Sequence, residues 1–127
     1  MTKPLRILIV DDEAEFCESI SYWLKTKDHQ VQVSYRAKEA LEILKKTPFD
    51  IVFLDIQMPD MDGMEFLRQI RSFNKTLPII MVTGYPMEEK MSEAVKLGVS
   101  GFFPKTESFQ ELGRVLKAAL RTHKDLR

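Results

Sequence analysis

Three short apolar runs, each ending abruptly in polar residues, constrain this chain more than any other feature. Leu5-Arg6-Ile7-Leu8-Ile9-Val10 stops at Asp11-Asp12-Glu13. Ile51-Val52-Phe53-Leu54 stops at Asp55, and Pro78-Ile79-Ile80-Met81-Val82 stops at Thr83-Gly84. The runs are rich in branched residues and nearly continuous rather than alternating. Strands read that way when both faces are covered, as in a parallel sheet. Gln30-Val31-Gln32-Val33-Ser34 alternates and reads as a half-exposed edge strand. Gly101-Phe102-Phe103 is a fifth candidate, and Pro104 after it cannot donate to a ladder, which places that strand at an edge.

Helical stripes fill the gaps. Phe16, Ile20, Trp23 and Leu24 share one face, as do Ala37, Ala40, Leu41 and Leu44, ahead of a stop at Lys45-Lys46-Thr47-Pro48. Phe66, Leu67 and Ile70 form a third stripe. Met87, Met91, Ala94, Val95 and Leu97 form a fourth, closed by Gly98. Ser108-Phe109-Gln110-Glu111 has capping-box spacing and opens a fifth helix through Leu112, Val115, Leu116, Ala119 and Leu120. The order is βα five times over. This predicts an α/β fold, a doubly wound parallel sheet of five strands with helices on both faces. One domain is expected over residues 1–122, with 123–127 a polar tail or the start of a linker.

Composition narrows the function. Among 127 residues, 19 Lys and Arg balance 19 Asp and Glu, so no general basic field exists to hold nucleic acid or an anionic membrane. The apolar runs fall well short of the roughly 18 residues of a membrane span. The opening Thr2-Lys3-Pro4 leads into a short apolar run without a small-residue cleavage site, so a cytoplasmic location is expected. A single cysteine, Cys17, excludes an internal disulfide framework and a Cys-rich zinc site. Two histidines far apart, His29 and His123, do not make a metal cage.

In open parallel sheets, ligands bind beyond the carboxyl ends of the strands. Asp11-Asp12, Asp55, Thr83 and Lys105 all stand at that end and would converge on one edge of the sheet. Taken singly, each also reads as a turn, cap or solvated residue; their coincidence at four strand ends argues for a site. Packed carboxylates repel, and one takes up a proton unless a cation intervenes. A hard divalent cation such as Mg²⁺ relieves this through oxygen ligands. Asp12 and Asp55 are the expected direct ligands, with Asp11 acting through a metal-bound water. Asp55 is then a carboxylate nucleophile able to form an aspartyl phosphate. Lys105 offsets charge on the transferring group, and the Thr83 hydroxyl hydrogen-bonds one of its oxygens.

These residues carry a close resemblance to the receiver domain of bacterial two-component response regulators. The matching segments are Ile7 to Glu13, Phe49 to Gly63, Pro78 to Gly84 and Gly98 to Lys105, in order over nearly the whole chain. The resemblance implies a flavodoxin-like sheet in the order 2-1-3-4-5. It implies that Asp55 is the phosphoacceptor. It implies that Asp11 and Asp12 are the Mg²⁺ acidic pair, with the Gln57 carbonyl as a further ligand, and that Thr83 and Lys105 engage the phosphoryl group. The implied donor is a sensor histidine kinase or a phosphotransfer protein; small acyl phosphates can also serve. The implied output is a downstream effector protein or domain, reached through a face of the fourth helix, fifth strand and fifth helix as Thr83 and Phe102 change position. A homodimer through the fourth and fifth helices is compatible with that face. Such a protein is a regulator that assists its own phosphorylation and dephosphorylation, not a conventional enzyme, with no direct nucleic-acid binding by this domain.

Three departures from the family pattern stand out. The family usually has Lys-Pro with a cis bond, whereas this chain has Pro104-Lys105-Thr106; a cis Lys105–Thr106 bond would cost about 2.5–4 kcal/mol. Phe102 stands where Tyr is common, and without a hydroxyl it favours a buried rotamer. Gln57, Gly84 and Tyr85 are expected to flank the phosphoryl group, with bulky Tyr85 shielding the acyl phosphate. A phosphatase of the haloacid-dehalogenase type would want a second Asp where Gln57 stands. A receiver-like interaction module working without phosphorylation is the alternative.

Overall fold

A computed structural model describes the backbone of residues 4–84 and 88–125, with side chains through residue 121. Strands and helices alternate: β1 (Arg6–Val10), α1 (Ala14–Thr26), β2 (Gln30–Ser34), α2 (Ala37–Lys46) and β3 (Ile51–Asp55) come first. They are followed by α3 (Gly63–Phe73), β4 (Ile79–Thr83), α4 (Glu88–Lys96), β5 (Gly101–Pro104) and α5 (Phe109–Asp125). All strand pairs are parallel, and the sheet order is β2-β1-β3-β4-β5. The expected edge strands, β2 and β5, do lie at the edges. The last helix runs on through Asp125, past residue 123, where a polar tail or linker was expected to begin.

The pleat explains the near-continuous apolar runs. Ile7, Ile9, Ile51, Phe53, Ile80, Val82 and Phe103 point to one face, where Cys17, Ile20 and Leu24 of α1 and Leu112, Leu116 and Ala119 of α5 cover them. Leu8, Val10, Val52, Leu54 and Met81 point to the other, beneath α2, α3 and Ala94 of α4. The inner strands β1, β3 and β4 therefore carry buried, mostly apolar side chains at nearly every position, while edge strand β2 alternates. One residue of the expected stripes departs: Val95 of α4 is 59% exposed, because Ala94 beside it takes the inward position. Met87 lies outside the described residues.

Helix ends follow local chemistry. At the end of α4, Gly98 adopts φ +79°, while the Gly98 and Val99 amides donate to the Val95 and Ala94 carbonyls. This closes the helix in a left-handed cap. At the start of α2 no side chain of its own sequence caps the helix. Instead Asp60, from the β3–α3 connection, accepts the Ala37 and Lys38 amides, both at 3.0 Å. Gly63 opens α3 so close to β3's exit that an added Cβ would lie 2.4 Å from the Ile56 carbonyl oxygen.

Candidate functional site

Parallel registration brings the strand ends together. Val10 pairs with Leu54, Asp55 with Val82 and Thr83 with Pro104, so the residues that follow emerge side by side. The Lys105 amide donates to the Thr83 carbonyl at 2.8 Å, continuing the β4–β5 ladder by one step. Asp11, Asp55 and Thr83 are all buried; Asp12 is exposed. Oxygen atoms of Asp11, Asp12 and Asp55 lie within 4.8 Å of one another.

Lys105 Nζ stands at the centre of this cluster. It is 3.1 Å from Asp55 Oδ2 and 2.8 Å from Asp11 Oδ2, and it also pairs with Glu13 Oε1. The Phe16 ring lies against it, 4.9 Å from Nζ to the ring centroid. The peptide bonds of the described residues are all trans, Lys105–Thr106 included, so no cis bond is needed to bring this ammonium to Asp55. Two short local bonds hold the carboxylates. The Glu13 amide donates to Asp11 Oδ1 and the Gln57 amide to Asp55 Oδ1, both at 2.9 Å.

The electrostatics follow from burial. Desolvation pushes the Asp11 carboxyl up to about 6, helped by the charge of Asp55 and opposed by Lys105 and the Glu13 amide. Burial works against the Lys105 charge, but its pairing with Asp11, Glu13 and Asp55 outweighs it and raises the ammonium above its usual range. Burial, with Asp11 nearby, pushes the Cys17 thiol up to about 12, which leaves it a packing residue rather than a nucleophile.

The cluster fits a hard cation. Its donors are all carboxylate oxygens, and Asp11 Oδ2 is buried with no hydrogen bond, only the ion pair to Lys105. Asp11, Asp12 and Asp55 are the residues that can hold one.

The other expected residues take various places. Gln57 is exposed and forms an isolated bridge with Asp62. Gly84 is half-buried in a bend, with open space where a Cβ would stand. Phe102 is half-buried and packs against the core on the α2–α3–α4 side of the sheet. Tyr85 lies outside the described residues. Sequence reasoning missed two participants, Glu13 on Lys105 and Asp60 on α2. Both are acidic residues inside the matched segments, and only their spacing beside Asp12 and Gly63 hinted at them.

A parallel 2-1-3-4-5 sheet with an acidic cleft beyond β1 and β3 and a lysine beyond β5 defines a class of regulatory α/β modules. The response regulator receiver domain family matches residues 7–117, and the chain belongs to that family. It is 37% identical over 119 residues to the regulatory protein VanR of Enterococcus faecium, covering 94% of this chain and 51% of VanR. It is 32% identical to the transcriptional regulatory protein ZraR of Escherichia coli K12, covering 92% of this chain and 27% of ZraR. The chain thus spans about a quarter to a half of the length of these relatives. Among solved structures, it resembles the CheY-like receiver domain protein of Methanospirillum hungatei with a TM-score of 0.91 and 27% identity, covering 98% of this chain and 100% of that one. It also resembles the chemotaxis response regulator CheY4 of Vibrio cholerae, with a TM-score of 0.85 and 30% identity, covering 93% and 100%. Receiver domains are regulatory modules, and this chain shares their fold and acidic cleft. No helix among the described residues is long and apolar enough to cross a membrane.

Proposed function

We propose that the chain is a phosphorylation switch in which Asp55 accepts a phosphoryl group. The observation that carries this reading is Lys105 Nζ at 3.1 Å from Asp55 Oδ2, within a set of three carboxylates that meet inside 4.8 Å. An Asp55 oxygen attacks the phosphorus of a phosphohistidine on a sensor kinase or phosphotransfer protein. The P–N bond breaks, and its electron pair stays on the departing imidazole. Asp11, Asp12, Asp55 and the Gln57 carbonyl would hold a Mg²⁺ ion, which when bound would supply charge neutralisation for the transfer. Lys105 moves from the carboxylates onto a phosphoryl oxygen, and the Thr83 hydroxyl donates to another. The open space over Gly84 leaves room for the group, with Gln57 and Tyr85 flanking it and limiting the approach of water.

The output follows as a population shift. Thr83 moves toward the phosphoryl group, and half-buried Phe102 turns into the space it leaves. The α4–β5–α5 face then changes its affinity for an effector protein or domain, or for a second copy of the chain. This reading places the receiver unit over residues 1–122, in the cytoplasm.

Intact-mass analysis after incubation with acetyl phosphate and Mg²⁺ tests it, beside Asp55→Asn. The expected result is a gain of one phosphoryl group in the parent, lost on adding EDTA beforehand and absent in the variant. No gain from either acetyl phosphate or a phosphorylated kinase would favour a module that binds partners without phosphorylation.

A further inference from the structure

The Lys105 ammonium has two seats, and the buried carboxylates make only the inner one. Asp11 Oδ1 and Asp55 Oδ1 already accept the Glu13 and Gln57 amides, both at 2.9 Å. That leaves the two Oδ2 atoms, and both face Lys105 Nζ, at 2.8 and 3.1 Å. A divalent cation held by Asp11 and Asp55 needs those same oxygens. Two cations drawn to one pair of oxygens at such distances repel strongly. The ammonium has to give way.

The outer seat lies toward solvent. Glu13 Oε1 pairs with the same ammonium, and the Glu13 side chain is 62% exposed, against 11% for Lys105, 5% for Asp55 and 1% for Asp11. The Phe16 ring, 4.9 Å from Nζ to its centroid, offers the ammonium a second contact on this side. Glu13 and Phe16 both border an open groove of about 520 Å³ between α1 and the β5–α5 connection. Glu15 and Glu107 line the same groove, and Lys105 is the one basic residue of the lining. Room, a ring face and negative charge therefore meet where an outgoing ammonium would settle. Glu13 is available for it, because at the N-cap of α1 its side chain makes no capping bond.

We propose that Glu13 is a positioning residue: it receives the Lys105 ammonium when a divalent cation takes the free oxygens of Asp11 and Asp55, and keeps it within reach of the phosphoryl group. The inference rests on the reading of Asp55 as a phosphoacceptor beside a hard cation. Glu13 acts through Lys105. Without the Glu13 carboxylate, the ammonium stays on Asp11 and Asp55 and competes for their oxygens. Glu13 thereby sets how tightly the cleft holds a divalent ion.

Calorimetric titration of the unphosphorylated full chain with Mg²⁺ alone tests this, on the parent, Glu13→Gln, Lys105→Met and the double variant. Lys105→Met removes the competitor and should tighten Mg²⁺. Glu13→Gln should weaken Mg²⁺ about fivefold while Lys105 is present. In the Lys105→Met background the same change should cost less than about twofold, because only the distant charge of an exposed carboxylate is lost. Equal weakening in both backgrounds would make Glu13 a plain charge near the cation and overturn the proposal. So would a Glu13→Gln chain that binds Mg²⁺ as tightly as the parent. A parent that binds no Mg²⁺ overturns it together with the metal part of the proposed function. The phosphoacceptor reading fails separately, in the acetyl phosphate assay, which no arm of this titration uses.

Discussion

Asp11 is the residue at which folding and site chemistry pull apart. Its carboxylate is buried, faces Asp55, and leaves Oδ2 without a hydrogen bond. Lys105 answers part of that cost, but it is shared with Asp55 and Glu13. A divalent cation bound only by the folded chain relieves the repulsion and stabilises by mass action. At ten times its Kd, Mg²⁺ is expected to add about 1.4 kcal/mol, or roughly 5 °C in Tm. Asp12→Asn removes an exposed ligand without disturbing the buried pair, and its Tm should stay flat as Mg²⁺ is added. Thermal melts across a Mg²⁺ series decide this; an equal rise in the variant would remove Asp12 from the ligand set.

Among the elements, the β3–α3 connection does the most positioning. Asp60 within it caps α2, and the hydrogen bonds from Lys38 and Ala37 overcome the opposing effect of burial and hold its carboxyl below the usual range. Gly63 ends it with α3 pressed against the Ile56 backbone. A methyl group cannot enter at 2.4 Å from a carbonyl oxygen, so Gly63→Ala must push α3 away from β3. Overpacking of this kind costs about 1–3 kcal/mol, despite the better helix propensity of alanine. Urea unfolding of Gly63→Ala should show a midpoint lowered accordingly, and an unchanged or higher midpoint would mean that the connection yields easily.

On the scale of the whole molecule, stability responds to pH not only at Asp11 but also through a group far from the acidic cleft. Burial pushes the His29 imidazole below its usual 6.5, with Asp28 opposing in part; Lys27, Arg114 and Lys117 also border it. The unfolded chain takes up this proton through about pH 6.5, the folded chain only at lower pH. The contribution of His29 is therefore fully present above pH 6.5 and is lost as pH falls below it. Between pH 7.5 and 5.5, the parent should lose more stability than His29→Gln, which keeps an acceptor for the Leu5 amide. Equal losses in urea titrations at the two pH values would show that His29 is protonated alike in both states.

Much of this protein is legible without coordinates, for a local reason. Strand and helix periods, the stop at Thr47-Pro48, the turn at Gly98 and the polar residue closing each apolar run are all properties of neighbouring residues. Parallel connection then sends Asp11, Asp55, Thr83 and Lys105 to one edge, so the heart of the acidic cleft could be read in advance. Contacts across long stretches of chain could not. Lys105 meets Glu13 across 92 positions, and Asp60 caps a helix 22 positions earlier. Val95 faces outward because Ala94 takes the inward slot. Gly113 of α5 stands against the Trp23 indole of α1, close enough that an added Cβ would lie 3.4 Å from the ring. Such pairings depend on how far each helix is turned and set against the sheet, and that is decided by packing the whole core at once rather than by any one segment.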